Sequence, residues 1–364
     1  LNECIQCGKC TGGCPVALRT NLNIRRMVYD SKITDMLEPL AQAVEIWDCT
    51  ACNTCTSRCP KGLKPFELMV GLREIFIKQG KIQPTVQEAL ESIYQVGNPW
   101  YKPRNRRSEW MQGLNVNIAK PKQHVENLIF VCCTIAYDSE VQFIAKNLVK
   151  VLNKAKVDYG FIGDEETCCA GEAYNLGEKG LFQIIRENNE QLLNSYNCKR
   201  IVTISPHCYS TFCNQYQNLK VEVVHYTHLL KELIDSNTVK LVRSLPESIV
   251  YHDPCFLGKQ NNVYEEPRYL LTKIPGAKLL EFERRKERSL CCEGGCGKMW
   301  VDSESVKERL AEIRVRDAKE LCANLIAVAC PFCYFTLNDA LITTGLSNEI
   351  RVTDILGILP DLIE

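Results

Sequence analysis

The sequence predicts an α+β multi-domain protein: a mainly helical, ferredoxin-like N-terminal domain followed by a duplicated α/β domain with parallel sheets. Three observations carry this. Two Cys-x2-Cys-x2-Cys-x3-Cys-Pro runs occupy the first 60 residues, with apolar residues at helical spacing between and after them. From Glu126 short apolar runs alternate with helical patterns, the texture of a parallel sheet covered by helices. Near residue 247 the alternation starts again, with widely spaced cysteines at matching positions of both copies. The expected boundaries are 1–96 for the helical domain, 97–125 for a linker, 126–246 for the first α/β repeat and 247–364 for the second.

The two N-terminal runs are Cys4, Cys7, Cys10, Cys14 with Pro15, and Cys49, Cys52, Cys55, Cys59 with Pro60. This is the bacterial signature for a pair of [4Fe–4S] cubanes, in which the fourth cysteine of each run ligates the other cluster. One cubane is therefore expected on Cys4, Cys7, Cys10 and Cys59, the other on Cys49, Cys52, Cys55 and Cys14. Zinc would need four ligands in two pairs, not two four-cysteine runs closed by prolines. Arg25–Tyr29 and Ile33–Ile46 show helical spacing between the runs, Pro65–Gln79 forms a helix stopped by Gly80, and Thr85–Gln95 forms another before Gly97-Asn98-Pro99. The linker is rich in Asn, Pro, Arg and Lys, and its basic run Lys102, Arg104, Arg106, Arg107 reads as solvated. Trp100 and Trp110 are placed to pin it to a neighbouring surface.

In the first repeat, strands are predicted at Asn127–Val131, Val157–Ile162 and Arg200–Ile204, and helices at Ser139–Leu152, Gly180–Ser195 and Cys208–Tyr216. The second copy offers strands at Ser248–His252, Lys278–Phe282 and Asn324–Ala329. Its helices are Pro267–Thr272 with Pro at the first position, Ser303–Leu321, and one from Pro331 onward. The period of about 110 to 120 residues is too long for a solenoid. In both copies cysteines follow the carboxyl ends of strands, the edge where open α/β sheets bind ligands, so residues distant in sequence converge there.

Composition sets the remaining bounds. Lys plus Arg equals Asp plus Glu at 44 each, so no net field gathers nucleic acid or anionic membrane. The 22 cysteines lie in a long, charged chain without a visible signal peptide, which points to thiolate ligands in a reducing, cytoplasmic setting rather than to disulfides. The chain opens at Leu1, which leaves preceding residues open. The best apolar run, Leu325–Phe335, is shorter than the ~20 residues of a spanning helix. No nucleotide fingerprint or flavin motif is present, so hydride chemistry belongs to a partner chain.

The second repeat carries Cys255, then Cys291-Cys292, then Cys330-Pro331-Phe332-Cys333. Adjacent side chains do not comfortably bind one ion but can bind neighbouring irons of a cluster. The first repeat carries Cys133, Cys168-Cys169 and Ser205-Pro206-His207-Cys208, with serine at one ligand position. These stretches give a specific resemblance. CIQCGKCTGGCP, IRRMVY and IWDCTACNTCTSRCP resemble the ferredoxin-like HdrC component of heterodisulfide reductase. FVCCTIAYD, TCCAGEAYNLG, ISPHCYSTF, YHDPCFLGKQNNVYEEPR, SLCCEGGCGKMW and ACPFCYFTLND resemble its catalytic HdrB component and the wider CCG-domain family. Together they look like a fused HdrC–HdrB arrangement of the HdrD type, and the second region is also similar to quinone-linked partners of electron-transfer flavoprotein.

The resemblance implies that Cys255, Cys291, Cys292, Cys330 and Cys333 hold a noncubane [4Fe–4S] cluster, the catalytic set of the family. It implies cleavage of a disulfide such as CoM-S-S-CoB between two such clusters, each half taking one electron. Ser205 departs from the family's first cysteine. It leaves Cys133, Cys168, Cys169 and Cys208, enough for a cubane or for a noncubane cluster with a serine oxygen, a harder ligand that suits the site less. Cys296 stands where the family often has glycine. Gly294, Gly295 and Gly297 let backbone approach a cluster and donate N–H bonds, while His252 and His207 can donate to cluster sulfur or anchor their loops. Cys132, Cys198 and Cys322 read as packing residues, and Cys213, five residues from Cys208, is within reach of the same loop region but reads as a non-ligand.

Two functions follow. One is a redox enzyme subunit, in which the cubanes pass electrons to the CCG site and a disulfide. The other is an electron relay between a flavoprotein and a quinone or other acceptor. Expected partners are a flavin-containing subunit (HdrA-like, or electron-transfer flavoprotein) and hydrogenase or formate dehydrogenase subunits, with attachment to a membrane only through a partner. The serine at 205 weighs against the full two-cluster disulfide mechanism, which needs a matched pair.

Overall fold

A computed structural model describes residues 2–33, 44–301 and 308–364. Its two α/β repeats share one strand order. In the first, β1 (His124–Phe130), β2 (Tyr159–Phe161), β3 (Asn197–Thr203) and β4 (Glu222–His225) form a parallel sheet ordered β2-β1-β3-β4. In the second, β5 (Ser248–Tyr251), β6 (Lys278–Leu280), β7 (Leu325–Val328) and β8 (Arg351–Asp354) form a parallel sheet ordered β6-β5-β7-β8. Central strands are apolar on both faces, as buried parallel strands must be: Leu128, Ile129, Ile201, Val202, Ile249, Leu325 and Ile326 are fully buried. Each order reverses direction between its first and third strands, so the carboxyl ends of β1 and β3, and of β5 and β7, flank a topological switch point. The register pairs Phe130 with Thr203 and Tyr251 with Ala327, which aims the cysteine loops after these strands at one another.

The helices that matter are α1 (Ile24–Asp30), α2 (Pro65–Lys78), α3 (Pro84–Val96), α4 (Gln142–Lys154), α5 (Lys179–Ser195), α6 (Pro206–Gln215), α7 (Tyr226–Asp235), α8 (Glu265–Thr272), α9 (Leu310–Glu320) and α10 (Pro331–Thr343). Proline stands in the first turn of α2, α3, α6 and α10, where its missing N–H costs nothing. Three expectations change. Pro267 is the third residue of α8, which opens at Glu265 instead. The long helix predicted from Ser303 is seen from Leu310, with 302–307 outside the described residues. The segment predicted as helix over Ile33–Ile46 lies largely outside them too, and Val44–Asp48 is a 3-10 turn. The fourth strands β4 and β8, and α7, add to the elements predicted from sequence.

Among the described residues before β1 no strand forms. Helix α2 buries Met69, Leu72 and Phe76, with Phe76 edge-on to Trp47 at 6.0 Å. Trp100 packs on Trp300 at 5.1 Å and Trp110 on Phe161 at 5.3 Å, so the segment between α3 and β1 is fastened to both repeats. Its basic run is not solvated throughout: Arg104 and Arg106 are exposed, but Arg107 is buried. The repeats are joined by a hydrogen bond from Tyr226 Oη to Asp354 Oδ1 at 2.7 Å and one from Asn147 Nδ2 to the Leu356 carbonyl at 2.9 Å. No helix among the described residues is long and apolar enough to cross a membrane.

Candidate iron–sulfur sites

The first N-terminal run curls through left-handed backbone at Gln6 and Gly8, and the second at the equivalent Ala51 and Asn53. These positions turn successive cysteines to one side. Cys4, Cys7, Cys10 and Cys59 line one pocket, the cross-paired set expected from spacing. Cys14 lies within electrostatic reach of Cys49 and Cys52, and Cys55 within reach of all three, which gathers the other expected set. The two groups differ in exposure. Cys7 is exposed and Cys4, Cys10 and Cys59 are partly buried, whereas Cys14, Cys49, Cys52 and Cys55 are all buried. Burial, added to by the neighbouring thiols, pushes Cys14 up to about 12, and burial raises Cys49 and Cys55 as well. These three are protonated thiols unless a metal displaces the protons.

In the second repeat Cys292 Sγ lies 3.2 Å from Cys333 Sγ, and His252 sits with both inside a 4.8 Å cluster. Cys291 reaches Cys255 and Cys292, while Cys333 reaches Cys292 and Cys330. The five predicted cysteines thus form one unbroken series, 255–291–292–333–330. Burial raises Cys330, but hydrogen bonds with Cys333 and His207 outweigh it and bring the thiol to about 6. His252 Nδ1 is 3.3 Å from Arg314 Nε, which fixes the ring, and His252 also contacts Cys292.

In the first repeat Cys168 reaches Cys133 and Cys169, and Cys169 reaches Cys208. The series continues from Cys208 to Cys132, a residue whose sequence context suggests packing alone. Ser205 is buried, and its hydroxyl accepts from the His207 N–H at 3.3 Å as the N-cap of α6. Arg107 approaches Cys133 Sγ at 3.5 Å and pairs with buried Glu166, which also accepts from the Val131 N–H. Cys198 is buried in β3, Cys322 is exposed, and exposed Cys213 contacts Tyr209 instead of the cysteine series.

His207 belongs to the first repeat but contacts Cys330 of the second. Its Nδ1 lies 2.8 Å from Glu172 Oε1, and its ring stacks between Phe256 and Phe332 at 4.2 and 4.5 Å. The glycine loop closes this seam. A side chain at Gly295 would meet Phe256 at 2.8 Å, and the Gly297 N–H donates to Glu172. The observed close approaches of Gly294 and Gly295 are thus to Phe332 and Phe256. Beside the seam opens a polar cleft of about 240 Å³, whose lining includes Gly171 and Thr211 beside Cys169, Phe256 beside Cys255, and Asn53 and Thr56 of the second N-terminal run.

Two cations that the sequence does not single out lie under that run. Arg73 of α2 is fully buried and donates to the carbonyls of Ile46, Cys49 and Asn175, and to Cys296 Sγ at 2.7 Å. Lys259 is 5% exposed and donates to Thr54 Oγ1 at 2.9 Å and to the Ser289 carbonyl. Neither forms an ion pair with a carboxylate among the described residues. A buried cation needs compensating negative charge, and anionic clusters on the adjacent thiolates would supply it. Thr50 and Ser289, each next to or near a cysteine of these sets, have buried hydroxyls without a partner among the described residues, free to donate to cluster sulfur, and the Thr56 hydroxyl already lies against the Cys55 thiol. The residues present therefore fit iron–sulfur clusters.

Family models match three stretches of the chain. A 4Fe-4S dicluster domain matches residues 1–63, and a cysteine-rich domain (CCG) matches 128–213 and 249–338. The chain is 29% identical to the EtfAB:quinone oxidoreductase of Syntrophomonas wolfei, over 99% of this chain and 58% of that protein. It is 33% identical to the probable iron-sulfur-binding oxidoreductase FadF of Bacillus subtilis, over 86% of this chain and 46% of that protein. The chain thus spans about half the length of these two relatives. It is 29% identical to HdrD of the dihydromethanophenazine:CoB--CoM heterodisulfide reductase of Methanosarcina acetivorans, over 98% of this chain and 92% of that protein.

Proposed function

For a chain that belongs to the HdrD-like family of heterodisulfide reductase proteins, with one dicluster and two CCG domains, we propose an iron–sulfur oxidoreductase subunit that reduces a disulfide. Two cubane clusters on the N-terminal runs and a noncubane cluster on Cys255, Cys291, Cys292, Cys330 and Cys333 supply single electrons when bound. The observation that carries the proposal is the exposure gradient between the two runs. The set around Cys7 faces solvent, while the set around Cys52 is buried against both repeats through Arg73, Lys259 and the bond from Gln260 Nε2 to the Ala51 carbonyl at 2.8 Å. Electrons from a flavin-containing partner enter at the exposed set and leave through the buried one.

The cleft beside Gly171, Thr211 and Phe256 is the proposed seat of a disulfide such as CoM-S-S-CoB. Two electrons and two protons convert it to two thiols. Phe256 offers an apolar wall, Ser210 and Gln260 orient polar substituents, and Glu172 holds His207 between the two cysteine series. The alternative, a relay between a flavoprotein such as electron-transfer flavoprotein and a quinone, is favoured by the similarity to the quinone oxidoreductase of Syntrophomonas. The test is an anaerobic assay with reduced viologen. Release of two thiols per CoM-S-S-CoB is expected; oxidation of viologen by a quinone analogue but not by the disulfide sinks the first reading in favour of the relay.

A further inference from the structure

We infer that Cys132 supplies the fifth thiolate of a complete cluster site in the first repeat, in place of the residue at 205. This rests on the proposed iron–sulfur function and concerns which atoms of this chain bind the group.

Two series of thiol contacts correspond member by member. In the second repeat the order is 255, 291, 292, 333, 330. In the first it is 133, 168, 169, 208, 132. The terminal place held by Cys330 after β7 is held by Cys132 after β1. The thiol has changed strands while keeping its place in space. This is possible because β1 and β3 are adjacent and in register at Phe130 and Thr203, so their first loop residues lie side by side. At the position equivalent to Cys132 the second repeat has Pro254, which offers no ligand.

Backbone geometry points the same way. Cys132 has φ 79° and ψ 139°, a conformation that side-chain-bearing residues rarely adopt. The residue is nonetheless buried at this spot, with its thiol against Cys208. Such strain is kept where the surroundings or a ligand demand it. Ser205, in contrast, is occupied as a helix cap, and its oxygen is a harder donor than thiolate for iron in a sulfur-rich site. The site as assigned takes a [4Fe–4S]-type cluster with five thiolate ligands, the same class as the second repeat, so the chain has the matched pair of sites that its sequence alone denied it.

The test compares anaerobically purified holoprotein with Cys132→Ala, Ser205→Ala and the double variant Cys132→Ala/Ser205→Cys, by iron and sulfide content and by Mössbauer and EPR spectra. Each is also made in a Cys292→Ser background to isolate the first-repeat signal. Cys132→Ala is expected to lose that signal and about a quarter of the iron, Ser205→Ala to keep both, and the double variant to regain them. If the alanine variant does not fold, Cys132→Ser takes its place and an altered first-repeat spectrum is expected. An unchanged spectrum on changing Cys132, loss of the signal in Ser205→Ala, or iron in the second repeat with none in the first overturns the assignment and leaves the wider function standing. Absence of iron from both repeats overturns the two together.

Discussion

Arg73 brings a full positive charge into a seam where it pairs with no carboxylate among the described residues, and its donors tie four carbonyls and one sulfur from three separate segments. Replacing it with methionine keeps the apolar stem but leaves those buried acceptors bare, at a cost of about 2–3 kcal/mol. The cluster nearest Cys49 should also become harder to reduce, because a nearby cation favours the more negative, reduced state. Redox titration of Arg73→Met checks this: a lowered melting temperature with an unmoved midpoint potential would reduce Arg73 to a structural tie. The sequence hides this residue for a simple reason. It lies on the same helical face as Met69, Leu72 and Phe76, yet a single arginine in an amphipathic helix reads as its solvent side. Cys132 is hidden differently. The spacing singles out its neighbour Cys133, and only the register of β1 against β3 shows that two adjacent cysteines reach opposite ends of one series. The two N-terminal sets are legible because each draws three cysteines from one short run and the fourth from the Cys-Pro that closes the other.

At the level of elements, the helices with proline in their first turn and the apolar central strands can be read directly. The edge strands β4 and β8 cannot: each is four residues long, and Glu222 and Arg351 at their starts are exposed and charged. Their identity comes from pairing with β3 and β7, which is tertiary information. Helix α4 shows what the duplication contributes to stability. It buries Ile144, Ala145, Leu148 and Leu152, while its polar Asn147 bonds to Leu356 in the other repeat. Leu148→Ala should cost about 2–5 kcal/mol. Because α4 is shared, chemical denaturation is expected to show one transition for both repeats moving together. A shift confined to half of the amplitude would contradict a shared core.

For the molecule as a whole, the cysteines gather into an exposed set, a buried set and two series that follow the switch-point strands of two sheets. The proposed function needs iron and sulfide at each of these sets. The most direct measurement is therefore the iron and acid-labile sulfide content of the anaerobically purified chain, with zinc determined alongside. Two cubanes and one cluster in each repeat predict about 16 irons and as much sulfide per chain. Zinc in their place, or fewer than about 8 irons, would contradict the account.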